Sequence, residues 1–284
     1  MKKLVFILFL LLGAGLIYEN HISTSQENIE IYEGLPEKEE KKQALNITKN
    51  QIYQGNLLLV NKDYSVHSDA IQKDVINIYD TSAIEVGLLN IDIRLSKKIG
   101  EEFSQMISAA KRDGIQDFMI SSGFRDLGEQ AQIYEDKGAD YALPPGNSEH
   151  NLGLSLDVGS LTSQMSEAPE GKWIEENAWK FGFVVRYPED KTSVTGIQYE
   201  PWHIRYVGVP HSAVMNEKNF VLEEYLEYLK EQKSITATIN GETYSISYFP
   251  VSEDTTIQVP VNKQYEISGN NFDGVILTVN EYSM

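Results

Sequence analysis

Between Leu152 and Asp157 the chain alternates strictly. Leu152, Leu154 and Leu156 are large and apolar, while Gly153, Ser155 and Asp157 are small or acidic. A period of two marks a strand with one face in a core and the other open. The open face carries no bulk, so it leaves space beside the strand for something other than a side chain. Such a strand needs a sheet to sit in and helices to cover its apolar face.

His150 precedes this face with the opposite parity, which puts it in the loop entering the strand, free to turn its imidazole toward Asp157. A second short segment, Glu200-Pro201-Trp202-His203, adds another imidazole and a carboxylate. Two histidines and one acid are a set that a catalytic zinc takes, with its fourth position left for water. Glu200 is then close enough in sequence to act as the base for that water. Pro201 bars a regular helix, so Glu200 and His203 sit on extended chain. Trp202 is expected to form a wall under the metal. Taken singly, each residue has an ordinary explanation: a lone histidine is mostly core or surface, and a lone Asp at a strand end mostly caps a turn. Their grouping in two compact motifs favours the metal.

Composition narrows the alternatives. The 284 residues hold no cysteine, which excludes disulfides, thiolate metal sites, a cysteine nucleophile and a thioether lipid anchor. A net charge of −18 argues against nucleic acid as a partner and against a charged face laid on anionic lipid.

In chain order, Lys2 and Lys3 precede an apolar run from Leu4 to Tyr18, read as a membrane anchor or signal segment over residues 1–18 with the remainder exported. Residues 19–50 are polar and acidic and are expected to form a flexible linker. The catalytic unit is expected over residues 51–233. It begins with a strand at Leu57–Val60, followed by a helix near Ser96–Asp113 and a strand over Ile115–Ser121. Asp126 and Glu129 have the spacing of a capping box opening a helix that Gly138 stops. Arg125 thus lies at a strand-to-helix turn, where position alone makes it a surface arginine. A helix over Glu170–Phe181 is expected to bury Trp173 and Trp179, and strands follow at Phe183–Tyr187 and His203–Val207. The intervening Pro188–Tyr199 reads as a mobile loop at the cleft rim. Helices over Pro210–Lys218 and Phe220–Glu231 lead to a C-terminal β extension, residues 234–284, with Asn240-Gly241 as a hairpin turn. His67 and His211 belong to no motif.

Several of these segments carry a family resemblance. Ser148–Asp157, SEHNLGLSLD, resembles the SxHxxGxAxD signature of zinc D-Ala-D-Ala peptidases, and EPWH resembles their ExxWH-type partner. SGFR at Ser122–Arg125 followed by Gln130 resembles a third motif. The likeness runs over roughly residues 50–284 and is strongest to VanY-type D,D-carboxypeptidases of glycopeptide-resistant bacteria. One departure is Ser155, where the signature usually has Ala. The resemblance implies a hedgehog-like α+β fold, a small mixed or antiparallel sheet flanked by helices. It implies one Zn2+ held by His150, Asp157 and His203, and Glu200 as general base. It further implies Arg125 on a substrate carbonyl or carboxylate oxygen, with Gln130 and Ser148 in substrate binding. The implied substrate is a peptidoglycan precursor ending in D-Ala-D-Ala, trimmed on the outer side of the membrane as part of glycopeptide resistance. An L,D-carboxypeptidase, a D,D-dipeptidase and a catalytically inactive wall-binding module remain as alternatives.

Overall fold

The computed structural model describes residues 27–36, 40–80, 84, 86–138, 142–253 and 255–282. The apolar run at Leu4–Tyr18, and with it the expected anchor, lies outside the described residues. In chain order come β1 (Ile29–Glu33), β2 (Lys42–Ile47), β3 (Val75–Asn77), β4 (Gly87–Leu88) and β5 (Arg94–Ser96). Helix α1 (Lys97–Arg112), β6 (Phe118–Ser122), α2 (Leu127–Lys137), β7 (Ser155–Ser160) and α3 (Pro169–Asn177) follow. Then come β8 (Phe183–Tyr187), α4 (Thr192–Thr195), β9 (Glu200–Tyr206), α5 (His211–Lys218) and α6 (Leu222–Gln232). The chain closes with β10 (Ser234–Ile239), β11 (Glu242–Pro250), β12 (Thr255–Pro260), β13 (Tyr265–Gly269) and β14 (Gly274–Asn280).

The fold is α+β. A mixed sheet of five strands in the order β4-β6-β7-β9-β8 carries the alternating stretch near its centre, with only β4–β6 parallel. Its apolar face buries Leu154, Leu156 and Val158 against Phe103 and Met106 of α1 and Ile174 of α3. Helix α1 places Ile99, Phe103, Met106 and Ala110 on one stripe, as its 3.6-residue period requires, and Ser96 caps its first turn. Asp126 opens α2 with both halves of the capping box formed. Trp173 packs into the same core, and Trp179 into a satellite cluster with Ala213 and Ile239.

A second antiparallel sheet, in the order β1-β10-β11-β14-β13, forms the C-terminal unit, with α6 against it and the β2–β12 ribbon packed over it through Ile47, Ile257 and Val259. Here the structure departs from the sequence reading. Part of the tract expected as a flexible linker supplies β1, paired with β10, and β2, paired with β12. The acidic composition hides Ile29, Ile31, Leu45 and Ile47, which suffice once a partner sheet exists to receive them. Leu57–Val60 is fully buried yet forms no strand. Two of its backbone carbonyls bond side chains instead, Leu58 O accepting from Arg205 and Leu59 O from Asn271. The strand expected from Ile115 begins at Phe118. Pro188–Tyr199 contains α4 and is tied to the body by Lys191 Nζ on Glu224 and Asn219 Nδ2 on Asp190, so it is an ordered rim.

Candidate active site

Two bulges aim the site. Asp157 on β7 pairs directly with His203 on β9, which sets both side chains on the open face. Residues three apart on a regular strand face opposite ways, so Glu200 should point away from His203. Between β8 and β9, however, the register slips: Val185 pairs with Ile204 but Tyr187 with Glu200. The extra residues in β9 re-aim Glu200. Its Oε2 comes within 3.8 Å of His203 Nδ1.

His150 sits on a 3₁₀ turn, Glu149–Asn151, pinned from three sides. Asn151 Nδ2 donates to Arg125 O at 2.7 Å, its Oδ1 accepts from Gly146 N at 3.0 Å, and Arg125 N donates to His150 O at 3.1 Å. One side chain thereby ties three loops together. Gly153 leaves the turn at φ +82°, where a side chain would be strained.

The imidazoles are oriented by their far nitrogens. His150 Nδ1 faces Gly123 O at 2.7 Å; a carbonyl only accepts, so this nitrogen carries the proton and Nε2 is left as a lone-pair donor. Nε2 lies 3.3 Å from Asp157 Oδ1. His203 Nε2 faces Glu149 Oε2 at 3.4 Å, leaving Nδ1 3.1 Å from the same Asp157 Oδ1. His150, Asp157 and His203 each aim one ligand atom at a common point, all three within 4.8 Å of one another. Of these atoms, His150 Nε2 and Asp157 Oδ1 are buried with no hydrogen-bond partner. Buried polar atoms are almost always satisfied, and a cation between them would satisfy this set. The donor types and the shared point fit a divalent metal of the zinc class.

Electrostatics agrees. Burial works against ionisation of Asp157, but His150 and His203 outweigh it and hold its carboxyl well below the usual range. Burial likewise opposes charge on His203, yet the facing Asp157 and Glu149 push its pKa up to about 9. A cation held there would take the place of that proton. Glu200 is raised above an ordinary glutamate mainly by burial, which suits a base working near neutrality.

Arg125 stands beside the centre, its Nη2 3.4 Å from Asp157 Oδ2, its Nε on Ser122 Oγ and its Nη1 on Gln130 Oε1 at 2.8 Å. Gln130 is buried, and its Nε2 donates to Leu143 O at 2.6 Å. Both ends of this amide are therefore occupied, and the expected substrate contact becomes an orienting contact to Arg125. The Ser148 hydroxyl makes no hydrogen bond among the described residues. Trp202 is 40% exposed, turned to solvent by the pleat of β9, so it is no wall under the metal. The aromatic ring beside the centre is that of Tyr187, its centroid 5.0 Å from that of His203.

The sequence reading missed Glu149, Arg186 and Arg205, three fully buried charges behind His203. A signal existed: Arg186 interrupts the otherwise apolar β8, and Arg205 stands between the apolar Ile204 and Tyr206 of β9, which demands a buried counter-charge. His211 is structural as expected, buried between Tyr225 OH and Thr278 Oγ1.

A mixed α+β sheet holding a buried His–Asp–His triangle, with a carboxylate and a guanidinium beside it, defines a metallohydrolase. Comparison makes this specific. Residues 92–209 match the family model "VanY: D-alanyl-D-alanine carboxypeptidase". The chain is 54% identical over 292 aligned positions to a D-alanyl-D-alanine carboxypeptidase of Enterococcus faecium, covering 98% of this chain and 96% of the relative. It belongs to the VanY D-alanyl-D-alanine carboxypeptidase family. Among solved structures, the vancomycin resistance D,D-dipeptidase VanXYg, in complex with a D-Ala-D-Ala phosphinate analogue, matches at TM-score 0.75 and 31% identity over 85% of this chain and 100% of that one. The LdcB LD-carboxypeptidase matches at TM-score 0.54 and 31% identity over 63% of this chain and 88% of that one.

Proposed function

We propose that the chain is a zinc-dependent D,D-carboxypeptidase that removes the C-terminal D-Ala from peptidoglycan precursors ending in D-Ala-D-Ala, and so contributes to glycopeptide resistance. The observation that carries the metal is the pair of orphaned, buried atoms, His150 Nε2 and Asp157 Oδ1, converging with His203 Nδ1. When bound there, Zn2+ supplies a Lewis acid for the scissile carbonyl and acidifies the attacking water.

The rest of the reaction falls to side chains. Glu200 takes one proton from the water as its oxygen bonds to the penultimate carbonyl carbon. It returns that proton to the amide nitrogen, and the C–N bond breaks to release D-Ala. Arg125, fixed by Ser122 and Gln130, presents N–H groups to the substrate oxygen that gains charge. Its pKa is lowered by burial yet stays far above neutrality in a guanidinium, so it remains a cation. Ser148 offers its free hydroxyl to the peptide. No acyl-enzyme is needed, so β-lactams are expected to be poor inhibitors.

The likeness to VanXYg over nearly the whole chain favours a second reading, a D,D-dipeptidase. D-Ala release from a pentapeptide, compared with hydrolysis of free D-Ala-D-Ala, separates the two. Zinc content and activity are measured on the same preparation before and after chelation. A protein that is equally active without metal overturns the reading.

The segment Leu4–Tyr18 acts as the membrane anchor in this proposal. Because β1 starts at Ile29, only residues 19–28 separate the two, at most about 35 Å of chain. The catalytic unit is then held close to the membrane surface, where lipid-linked precursors lie. Fractionation of cells making residues 1–284 or 27–284 tests this: only the longer chain should sediment with membranes.

A further inference from the structure

The two ligand imidazoles are held by different means. His150 leans on a backbone carbonyl, whereas His203 turns its Nε2 to Oε2 of Glu149, a carboxylate that the reaction itself never uses. Glu149 is 1% exposed, and a carboxylate alone at that depth would be prohibitively costly. It is not alone. Arg186 Nε at 2.8 Å and Arg205 Nη1 at 2.7 Å both donate to its Oε1. Those two contacts commit one oxygen and leave the other, Oε2, to His203 and to the hydroxyl of Ser155 at 3.2 Å.

The arginines are anchored in turn. Arg205 spends Nη2 on Asn56 O and Leu58 O and Nε on Tyr206 O. Arg186 places Nη1 and Nη2 on the two oxygens of Glu223, at 2.8 and 2.7 Å, a paired fork that fixes its plane. Glu223 lies on α6, which packs against the C-terminal sheet. A continuous chain of charged contacts therefore runs from α6, packed on the C-terminal sheet, to a metal ligand: Glu223, Arg186, Glu149, His203. With Arg205 also on Glu149, two carboxylates meet two guanidiniums and their charges cancel, so the network does not compete for a cation. An ion pair serving packing alone would need only Oε1; here neither arginine takes Oε2, which faces His203 and the Ser155 hydroxyl.

We propose that Glu149 is a positioning residue that fixes His203 with its proton on Nε2 and its Nδ1 toward the metal, and that Glu223 anchors this arrangement from the C-terminal helix. The proposal rests on the metal-site reading above. Carboxylates placed this way behind a ligand histidine typically change metal affinity 10–100-fold.

The test is zinc affinity by chelator competition on the full chain, for wild type, Glu149→Gln and Glu223→Gln. A loss of about 10–100-fold is expected for Glu149→Gln, with a smaller loss in the same direction for Glu223→Gln. A Glu149→Gln protein with unchanged far-UV circular dichroism and zinc affinity within twofold of wild type overturns the proposal. That variant leaves two buried arginines short of counter-charge and can fail to fold, so a second measurement needs no mutation. Long-range 1H–15N correlation on the zinc-loaded wild type should place the His203 proton on Nε2 and the His150 proton on Nδ1. A His203 proton on Nδ1 refutes the role of Glu149 outright. A wild type that takes up no zinc refutes the metal-site reading instead, so the two failures are distinguishable.

Discussion

The catalytic sheet and the C-terminal sheet each have five strands, but they place irregularity differently. In the C-terminal sheet the strand registers are continuous among the described residues, β11 against β14 running unbroken from Tyr244 to Pro250. In the catalytic sheet two strand pairs slip register, and both slips border the metal ligands. Histidines show the same contrast. His203, among carboxylates, is pushed up to about 9, while His211, at the junction with the C-terminal unit and among neutral hydroxyls, is pushed down by burial to about 3. Both rings are buried; only the partners differ. Regular pairing builds stability, and a site is made where regularity is broken on purpose and the exposed charges are met.

The largest effect that would break this comparison lies at the ligands. Asp157→Ala removes the only anionic ligand, so bound zinc and D-Ala release should both fall to background, read by metal analysis and product assay on one preparation. If Asp157→Ala keeps zinc while Glu200→Gln loses it, ligand and base have been exchanged. Glu200→Gln itself should keep its metal and lose about 10²–10⁴-fold in turnover, the usual worth of a positioned base.

A truncation sharpens the other side. Removing residues 1–26 leaves both N-terminal strands and should give a stable, active protein. Removing residues 1–50 strips β1 and β2 from their partners and uncovers Ile257 and Val259. Loss of buried Ile47 alone is worth about 1.5–3 kcal/mol, so a clear drop in urea midpoint is expected. Equal midpoints for the two truncations would return the tract to the status of a linker.

The smallest effect concerns His211. Its folded pKa of about 3 lies below the ordinary 6.5, so the unfolded chain binds a proton first as pH falls. Stability is complete above about 6.5 and declines toward 3. Between pH 6.5 and 5 this group contributes a loss of roughly 2 kcal/mol. His211→Gln cannot titrate, and its unfolding free energy should therefore fall less steeply over that interval in urea melts at matched pH.

What the sequence determined by itself was local. The period-2 run at Leu152–Asp157, the capping box at Asp126 and the short Glu200–His203 segment each express chemistry within a few residues, and the structure brings His150, Asp157 and His203 together with Glu200 and Arg125 beside them. Tertiary structure decided what depends on distant partners. Strand β1 is a strand because β10, some two hundred positions away, offers it a ladder. Glu200 reaches His203 because β8 imposes a slipped register on β9. Trp202 is left to solvent while Tyr187 packs on His203, which only the folded sheet shows. Glu149 can sit uncharacteristically deep because Arg186, Arg205 and, behind them, Glu223 arrive from three other elements. Spacing along a chain encodes period and turn, but the cost of burying a charge is settled only when its counter-charges are in place.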